Sequence, residues 1–201
     1  IQQFERAKGT DEKYNAHLDR VANILIEQID NLSNIATEFS NFAKIPTASN
    51  QLFFLKEQLQ KTIELYQASR ETEIRFIANN YETLKVNADK EQLSRAVINL
   101  VKNAIQSVPQ GQTPKIKIEL SYKAPMAVIA ITDNGTGIPA ELKNKLFTPS
   151  FTTKTSGMGL GLAIVKNIVE NFSGKIGFET EPGKGTTFFV EIPVYSEENE
   201  Y

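Results

Sequence analysis

The chain contains no cysteine, which excludes disulfides, thiolate metal sites and cysteine nucleophiles together. Its single histidine, His17, excludes zinc sites that need two or three imidazoles. No uninterrupted apolar run reaches the roughly 18 to 20 residues that span a bilayer, and Ile1 to Lys8 lacks the layout of a signal peptide. The piece is therefore expected to be soluble. An excess of either charge is missing too, since 22 Lys and Arg stand against 24 Asp and Glu. A net charge of -2 offers nucleic acid no basic face, so none is expected as a partner. The chemistry must come from carboxylates, amides, hydroxyls, backbone groups, Lys and Arg. A hydrophobic fraction of 40% and a charged fraction of 23% describe an ordinary globular composition. The 201 residues suffice for a modest domain plus an accessory element.

From Tyr14 to Lys44 apolar residues return at helical spacing through Leu18, Val21, Leu25, Ile29, Leu32, Ile35 or Ala36, Phe39 and Phe42. Asp19, Arg20, Glu27, Asp30 and Glu38 keep the opposite face wet. That pattern predicts one amphipathic helix of about 30 residues, whose seam needs a partner helix. Ile1 to Lys8 reads as the last turns of that partner, with Gly9, Thr10 and Asp11 as the connection. The beginning thus reads as a helical hairpin cut within its first arm. Pro46 ends the helix, which sets residues 1–46 apart from a second domain over 47–195 and an acidic tail over 196–201.

In the second domain, Leu52 to Leu55 is an expected short strand and Lys56 to Ser69 a helix. Glu73 to Ala78 and Thr83 to Asn87 read as two strands around a turn at Asn79 and Asn80. Asp89 caps a helix running to about Val108. Lys115 to Tyr122 and Val128 to Thr132 follow as strands, then a glycine-rich stretch and a helix from Leu160 to Asn171. Lys175 to Thr180 and Thr186 to Pro193 close the chain as a hairpin around Pro182 to Gly185. Helices mixed with mostly hairpin-linked strands imply an α+β two-layer sandwich rather than a doubly wound sheet.

The most specific signal is an ordered set of motifs: Asn99-Leu-Val-Lys-Asn103-Ala, Asp133-Asn-Gly-Thr-Gly137-Ile138-Pro, Phe147-Thr-Pro-Ser-Phe151, Gly157-Met158-Gly159-Leu160-Gly161-Leu162 and Gly183-Lys-Gly-Thr186. In this order they resemble the N, G1, F, G2 and G3 boxes of the GHKL superfamily, which includes histidine kinases, DNA gyrase, heat-shock chaperones and MutL-type repair proteins. The resemblance covers about Leu52 to Pro193. It implies the Bergerat ATP-binding fold, with ATP and Mg2+ as cofactors and the residues of these boxes, with Lys154, as the nucleotide site.

Each box also has a physical reading. Asn99 and Asn103 lie four apart, so one helix face presents both amides. An amide oxygen is a hard ligand suited to Mg2+ shared with phosphates, and the resemblance makes Asn103 the metal ligand. Asp133 ends an apolar strand, where its carboxylate can accept from an adenine amino group. The resemblance assigns it that role. Gly135 and Gly137 allow close backbone approach to base and sugar. Gly157, Gly159 and Gly161 precede a helix whose first amides can cradle phosphate. Lys154 can reach the terminal phosphate, within a lid over Pro139 to Ser156. Taken singly, the asparagines also read as surface amides, Asp133 to Gly135 as a turn and Lys154 as a solvated loop lysine. The spacing of the glycines does not fit a dinucleotide fingerprint, and a Walker lysine is missing.

ATP-hydrolysing relatives carry a glutamate at the first N-box position, where this chain has Asn99. An amide cannot act as general base, so phosphate transfer is favoured over hydrolysis. The long N-terminal helix also resembles the dimerising hairpin of sensor histidine kinases. Ile1-Gln-Gln-Phe-Glu-Arg-Ala and Phe151-Thr-Thr-Lys154 look like the NtrY type of nitrogen sensor. The resemblance implies a protein-histidine kinase core that forms a homodimer through its N-terminal helices and passes phosphate to the receiver domain of a response regulator. It implies a cytoplasmic fragment, with an inner-membrane sensor as a candidate parent. His17 lacks the following acidic residue and proline of an acceptor motif, so the acceptor is expected upstream of Ile1 and self-phosphorylation is not expected. Two other functions compete: a nucleotide-responsive dimerisation module without turnover, and an anti-sigma-type serine kinase, which the long helix disfavours.

Overall fold

The computed structural model of the chain describes residues 15–26, 28–29, 32–33, 49–67, 72–152 and 159–196. The chain divides into two units, Ile1–Lys44 and Ile45–Tyr201, and each is described by itself. In the first unit residues 15–26 form a helix, α1, and residues 28–29 and 32–33 are helical as well. Every described residue there is exposed, His17 and the seam residues Leu18, Val21, Leu25, Ile29 and Leu32 included. The rest of the expected helix to Lys44, the connection at Gly9 to Asp11 and the tail beyond Ser196 lie outside the described residues.

The second unit runs β1 (Gln51–Phe54), α2 (Leu55–Gln67), β2 (Glu73–Ile77), β3 (Lys85–Ala88), α3 (Lys90–Gln106), β4 (Lys115–Lys123), β5 (Met126–Thr132), a 3-10 helix (Ala140–Lys145), α4 (Gly161–Asn171), β6 (Lys175–Glu181) and β7 (Gly185–Pro193). Five strands form one mixed sheet in the order β2-β4-β5-β7-β6, while β1 and β3 pair separately. The strands alternate cleanly. Ile116, Ile118 and Leu120 of β4, Ala127, Ile129 and Ile131 of β5, and Phe188, Val190 and Ile192 of β7 are buried. Residues between them, such as Lys115, Lys117 and Thr187, are exposed or half-buried. A single buried face of this kind requires a helical layer on one side.

That layer is supplied by α2, α3 and α4. Leu93, Ala96, Val97, Leu100, Val101 and Ala104 recur at helical spacing along the buried stripe of α3, and Ala163, Ile164, Val165, Ile168 and Val169 do so on α4. Each fully buried Leu, Ile or Val contributes about 1.5–3 kcal/mol by leaving water. The α+β two-layer sandwich inferred from the sequence is the fold observed. The start of α3 is fixed by Asp89, whose Oδ1 accepts from the amides of Glu91 at 2.9 Å and Gln92 at 3.0 Å, while its Oδ2 accepts from Ser49 at 2.9 Å. Burial pushes the Asp89 carboxyl up, but the amides of Gln92, Ser49 and Glu91 outweigh it and hold it below its ordinary value.

One expected pairing is corrected. The strands on either side of Asn79 and Asn80 do not form a hairpin: β2 runs parallel to β4, with Ile74 opposite Ile116, and β3 pairs antiparallel with β1. Asn80 takes a left-handed backbone at φ 60, and a second turn at Glu82 and Thr83 follows. The chain therefore makes two turns before β3, and Thr83 is not part of the strand. Two further differences are small. The 3-10 helix Ala140–Lys145 was not signalled by any periodicity, and β5 starts at Met126 rather than Val128. No helix among the described residues is long and apolar enough to cross a membrane.

Candidate functional site

The site is built where α3, the end of β5 and the start of β7 meet. Asp133 follows the last residue of β5 and is 5% exposed. Its backbone amide donates to the Thr186 carbonyl at 2.9 Å. Its Oδ1 accepts from the amides of Gly135 at 2.8 Å and Thr186 at 3.2 Å. The Ser107 side chain, at the C-terminal cap of α3, lies beside this carboxyl and favours its ionised form. Burial pushes the Asp133 carboxyl above its ordinary value of 3.8, and the Gly135 amide, the Ser107 side chain and the Thr186 amide offset that only in part. A carboxylate held so firmly, with little water left around it, is suited to one directional acceptor role.

Two glycines are required by this packing. A β-carbon at Gly135 would overlap the Ser107 hydroxyl and lie 2.8 Å from Asp133 Oδ1. Gly185 takes φ +116, and a β-carbon there would run into the Asp133 carbonyl oxygen. Around them runs a second polar chain. The amide of Ile138 donates to Thr180 Oγ1 at 2.9 Å, which lies 3.0 Å from Thr186 Oγ1 and donates to the Gly185 carbonyl at 3.1 Å. Thr186 is thereby buried, with its hydroxyl and its amide both engaged by the protein.

Asn99 and Asn103 lie one turn apart on α3, both half-buried. Asn103 faces the start of α4: a β-carbon built on Gly161 would have the Asn103 side-chain nitrogen as its nearest neighbour, at 3.8 Å. The amide is thus brought beside the first turn of α4. Leu160 precedes that turn, is buried, and supplies no side-chain cap. Leu162 is half-buried in the same turn. Gly137 and Gly159 both adopt left-handed backbone, at φ 68 and 67, against the Glu181 carbonyl and the Phe151 backbone respectively. Lys154, Gly157 and Met158 lie outside the described residues. Phe147, from the stretch expected to form a lid, packs its ring 6.1 Å from that of Phe178 on β6, which ties the middle of that stretch to the sheet.

Sequence reasoning overlooked two residues here, Ser107 and Thr180. Ser107 was within reach, because Asn99, Asn103 and Ser107 continue one four-residue spacing along the same helix face. Thr180 carried no such signal. A separate cleft of about 510 Å3 lies between α2 and β2, lined by Lys56, Gln60, Glu64, Arg75, Phe76 and others, and it shares no residue with this site.

The family model described as "Histidine kinase-, DNA gyrase B-, and HSP90-like ATPase" matches residues 88–196. The chain belongs to that family. Within this ATPase family, the chain is 36% identical over 179 residues to the sensor histidine kinase ZraS of Escherichia coli (strain K12), covering 87% of this chain and 38% of ZraS. It therefore spans well under half the length of that curated relative. The catalytic domain of the histidine kinase ThkA superposes with a TM-score of 0.65 at 35% identity, covering 72% of this chain and 95% of that one. A second ThkA structure, in complex with the response regulator protein TrrA, gives a TM-score of 0.70 at 32% identity over 86% of this chain and 50% of that one. The second unit is thus an ATP-binding catalytic domain of the histidine-kinase kind.

Proposed function

We propose that the chain is the ATP-binding catalytic core of a two-component sensor histidine kinase. It transfers the γ-phosphate of ATP to a histidine in a segment preceding Ile1, for relay to an aspartate of a response regulator. The observation that carries this reading is the pairing of an anchored, buried Asp133 with Asn99, rather than a carboxylate, on the neighbouring helix. Asp133 accepts from the adenine amino group, while Gly135, Gly137 and Ile138 border base and sugar. Thr186 holds Asp133 in place through its amide. The amides around Gly157, Met158, Gly159, Leu160, Gly161 and Leu162, leading into α4, receive the phosphates. Lys154 adds a cation at the terminal phosphate.

Mg2+ fits the donor set in one way only. Among the described residues no group of three or more His, Cys, Asp or Glu could hold a metal ion. Asn103 offers a single amide beside the opening over Gly161. Such a site holds Mg2+ only together with nucleotide phosphates, as a hard ion that keeps several oxygen ligands from substrate and water. Bound there, the ion would neutralise charge on the phosphates. Asn99 cannot take a proton from water, which leaves the incoming imidazole nitrogen as nucleophile. That nitrogen forms a bond to the γ-phosphorus as the bond to the β-phosphate oxygen breaks and ADP leaves.

The exposed apolar row Leu18, Val21, Leu25, Ile29 and Leu32 supports a homodimer through the N-terminal helices. The existence of a ThkA complex with TrrA supports a receiver domain as partner. A cytoplasmic location accords with the need for ATP. The narrower NtrY type is supported by Ile1-Gln-Gln-Phe-Glu-Arg-Ala and Phe151-Thr-Thr-Lys154 alone. The test is to extend the chain upstream and supply γ-labelled Mg-ATP. The extended protein is expected to carry acid-labile, base-stable label on an upstream histidine, whereas the present chain binds ATP unlabelled. Label on His17, or rapid phosphate release with no labelled histidine, would contradict the reading.

A further inference from the structure

We propose that Ser107 is a positioning residue for the Asp133 carboxylate and, through it, a determinant of the preference for a 6-amino purine. This inference rests on the reading of Asp133 as the base acceptor. Ser107 closes α3, and its Oγ donates to the Ala104 carbonyl at 2.7 Å. The same oxygen crowds the position that a β-carbon on Gly135 would occupy, as does Asp133 Oδ1. The residue's backbone carbonyl accepts from the Thr136 amide at 3.1 Å. Ser107 therefore fastens the end of the asparagine-bearing helix to the turn that carries the carboxylate, with both backbone and hydroxyl.

The hydroxyl has one proton and two acceptors within reach, the Ala104 carbonyl and the Asp133 carboxyl. An ionised carboxylate is the stronger acceptor, since charge-assisted hydrogen bonds are roughly twice as strong as neutral ones. When Asp133 is ionised the proton turns to it; when Asp133 is protonated the hydroxyl stays with Ala104. The two amides on Oδ1 fix one edge of the carboxylate, and the hydroxyl resists its rotation about the remaining bond. A carboxylate held against rotation keeps its free lone pair aimed at one point. The adenine amino group gains from that aim, and a base without the amino group gains nothing.

The experiment compares two nucleotides on this chain by titration calorimetry: ATP, and purine riboside triphosphate, which lacks the 6-amino group. The parent protein is expected to favour ATP. Ser107→Ala is expected to weaken ATP binding roughly ten-fold, the loss of one hydrogen bond to a charged group, and to leave the analogue's affinity unchanged. Ser107→Thr, which restores the hydroxyl, is expected to restore the preference. Equal weakening of both nucleotides by Ser107→Ala would mean a purely structural role and would overturn the proposal, as would an unchanged ratio. A parent protein that binds both nucleotides equally would instead remove Asp133 from the base contact. If Ser107→Ala does not fold, Ser107→Cys, close in shape but a weak donor, is read in the same way.

Discussion

Asp133→Asn separates the binding role of the carboxylate from its effect on folding. The amides of Gly135 and Thr186 both donate to Oδ1, at 2.8 and 3.2 Å. An asparagine must place its oxygen there, which turns its NH2 group to the position the other carboxylate oxygen held. Two donors, this NH2 and the adenine amino group, then face one another. Loss of a hydrogen bond to a charged group costs about 1.5–3 kcal/mol, and a buried donor left unpaired adds about 1–3 kcal/mol. The sum, about 2.5–6 kcal/mol, corresponds to ATP binding weaker by roughly two to four orders of magnitude. Folding responds in the opposite sense. Burial raises the Asp133 carboxyl above 3.8, so its linked stability is fully present below 3.8 and is lost as pH rises through the raised folded value. At neutral pH the ionised group is thus a cost that asparagine removes. The variant is expected to unfold at the same temperature as the parent or higher at neutral pH, with the gain vanishing in acid. Titration calorimetry and thermal unfolding across pH measure both effects. Unchanged ATP affinity refutes the base contact, and a large drop in unfolding temperature at neutral pH refutes the reasoning about burial.

Asp89→Ala removes the cap of α3 and is expected to cost about 1 kcal/mol, a fall of roughly 2–4 °C in thermal unfolding for a domain of this size. Its sign with pH is the reverse of that of Asp133: the folded value is lowered, so the contribution is present above 3.8 and is lost as pH falls through the lowered value. The difference between parent and variant should therefore shrink in acid, as thermal scans at several pH values would show. Asn103→Ala is expected to abolish the gain in ATP affinity that Mg2+ gives over a chelator. Titrations with and without the metal measure this, and a full metal effect in the variant would free Asn103 from that role.

The parts legible in the sequence are those whose cause is local. Asp89 announces α3, the alternation in β4, β5 and β7 announces strands, and Pro182 to Gly185 announces the last hairpin. The partner of β2 was not legible, because its choice of β4 over β3 depends on which strands bring Ile74 and Ile116 side by side, a matter of the third dimension. Asp133, Gly135, Asn103 and Gly161 could be named from their motifs, yet the reason each is needed appears only in their contacts. Gly185 is a case in point: its place in a turn is visible in the sequence, but not its contact with the Asp133 carbonyl. Thr180 reads as an ordinary strand residue until Ile138, Gly185 and Thr186 gather around it.

A crystal structure of this chain with Mg2+ and a non-hydrolysable ATP analogue is the most direct measurement of all. The purine amino group is expected within hydrogen-bond distance of the Asp133 carboxylate, the metal on the side chain of Asn103, and the phosphates at the first turn of α4. A nucleotide seated elsewhere, for instance in the cleft between α2 and β2 beside Lys56 and Arg75, would contradict the site at its foundation.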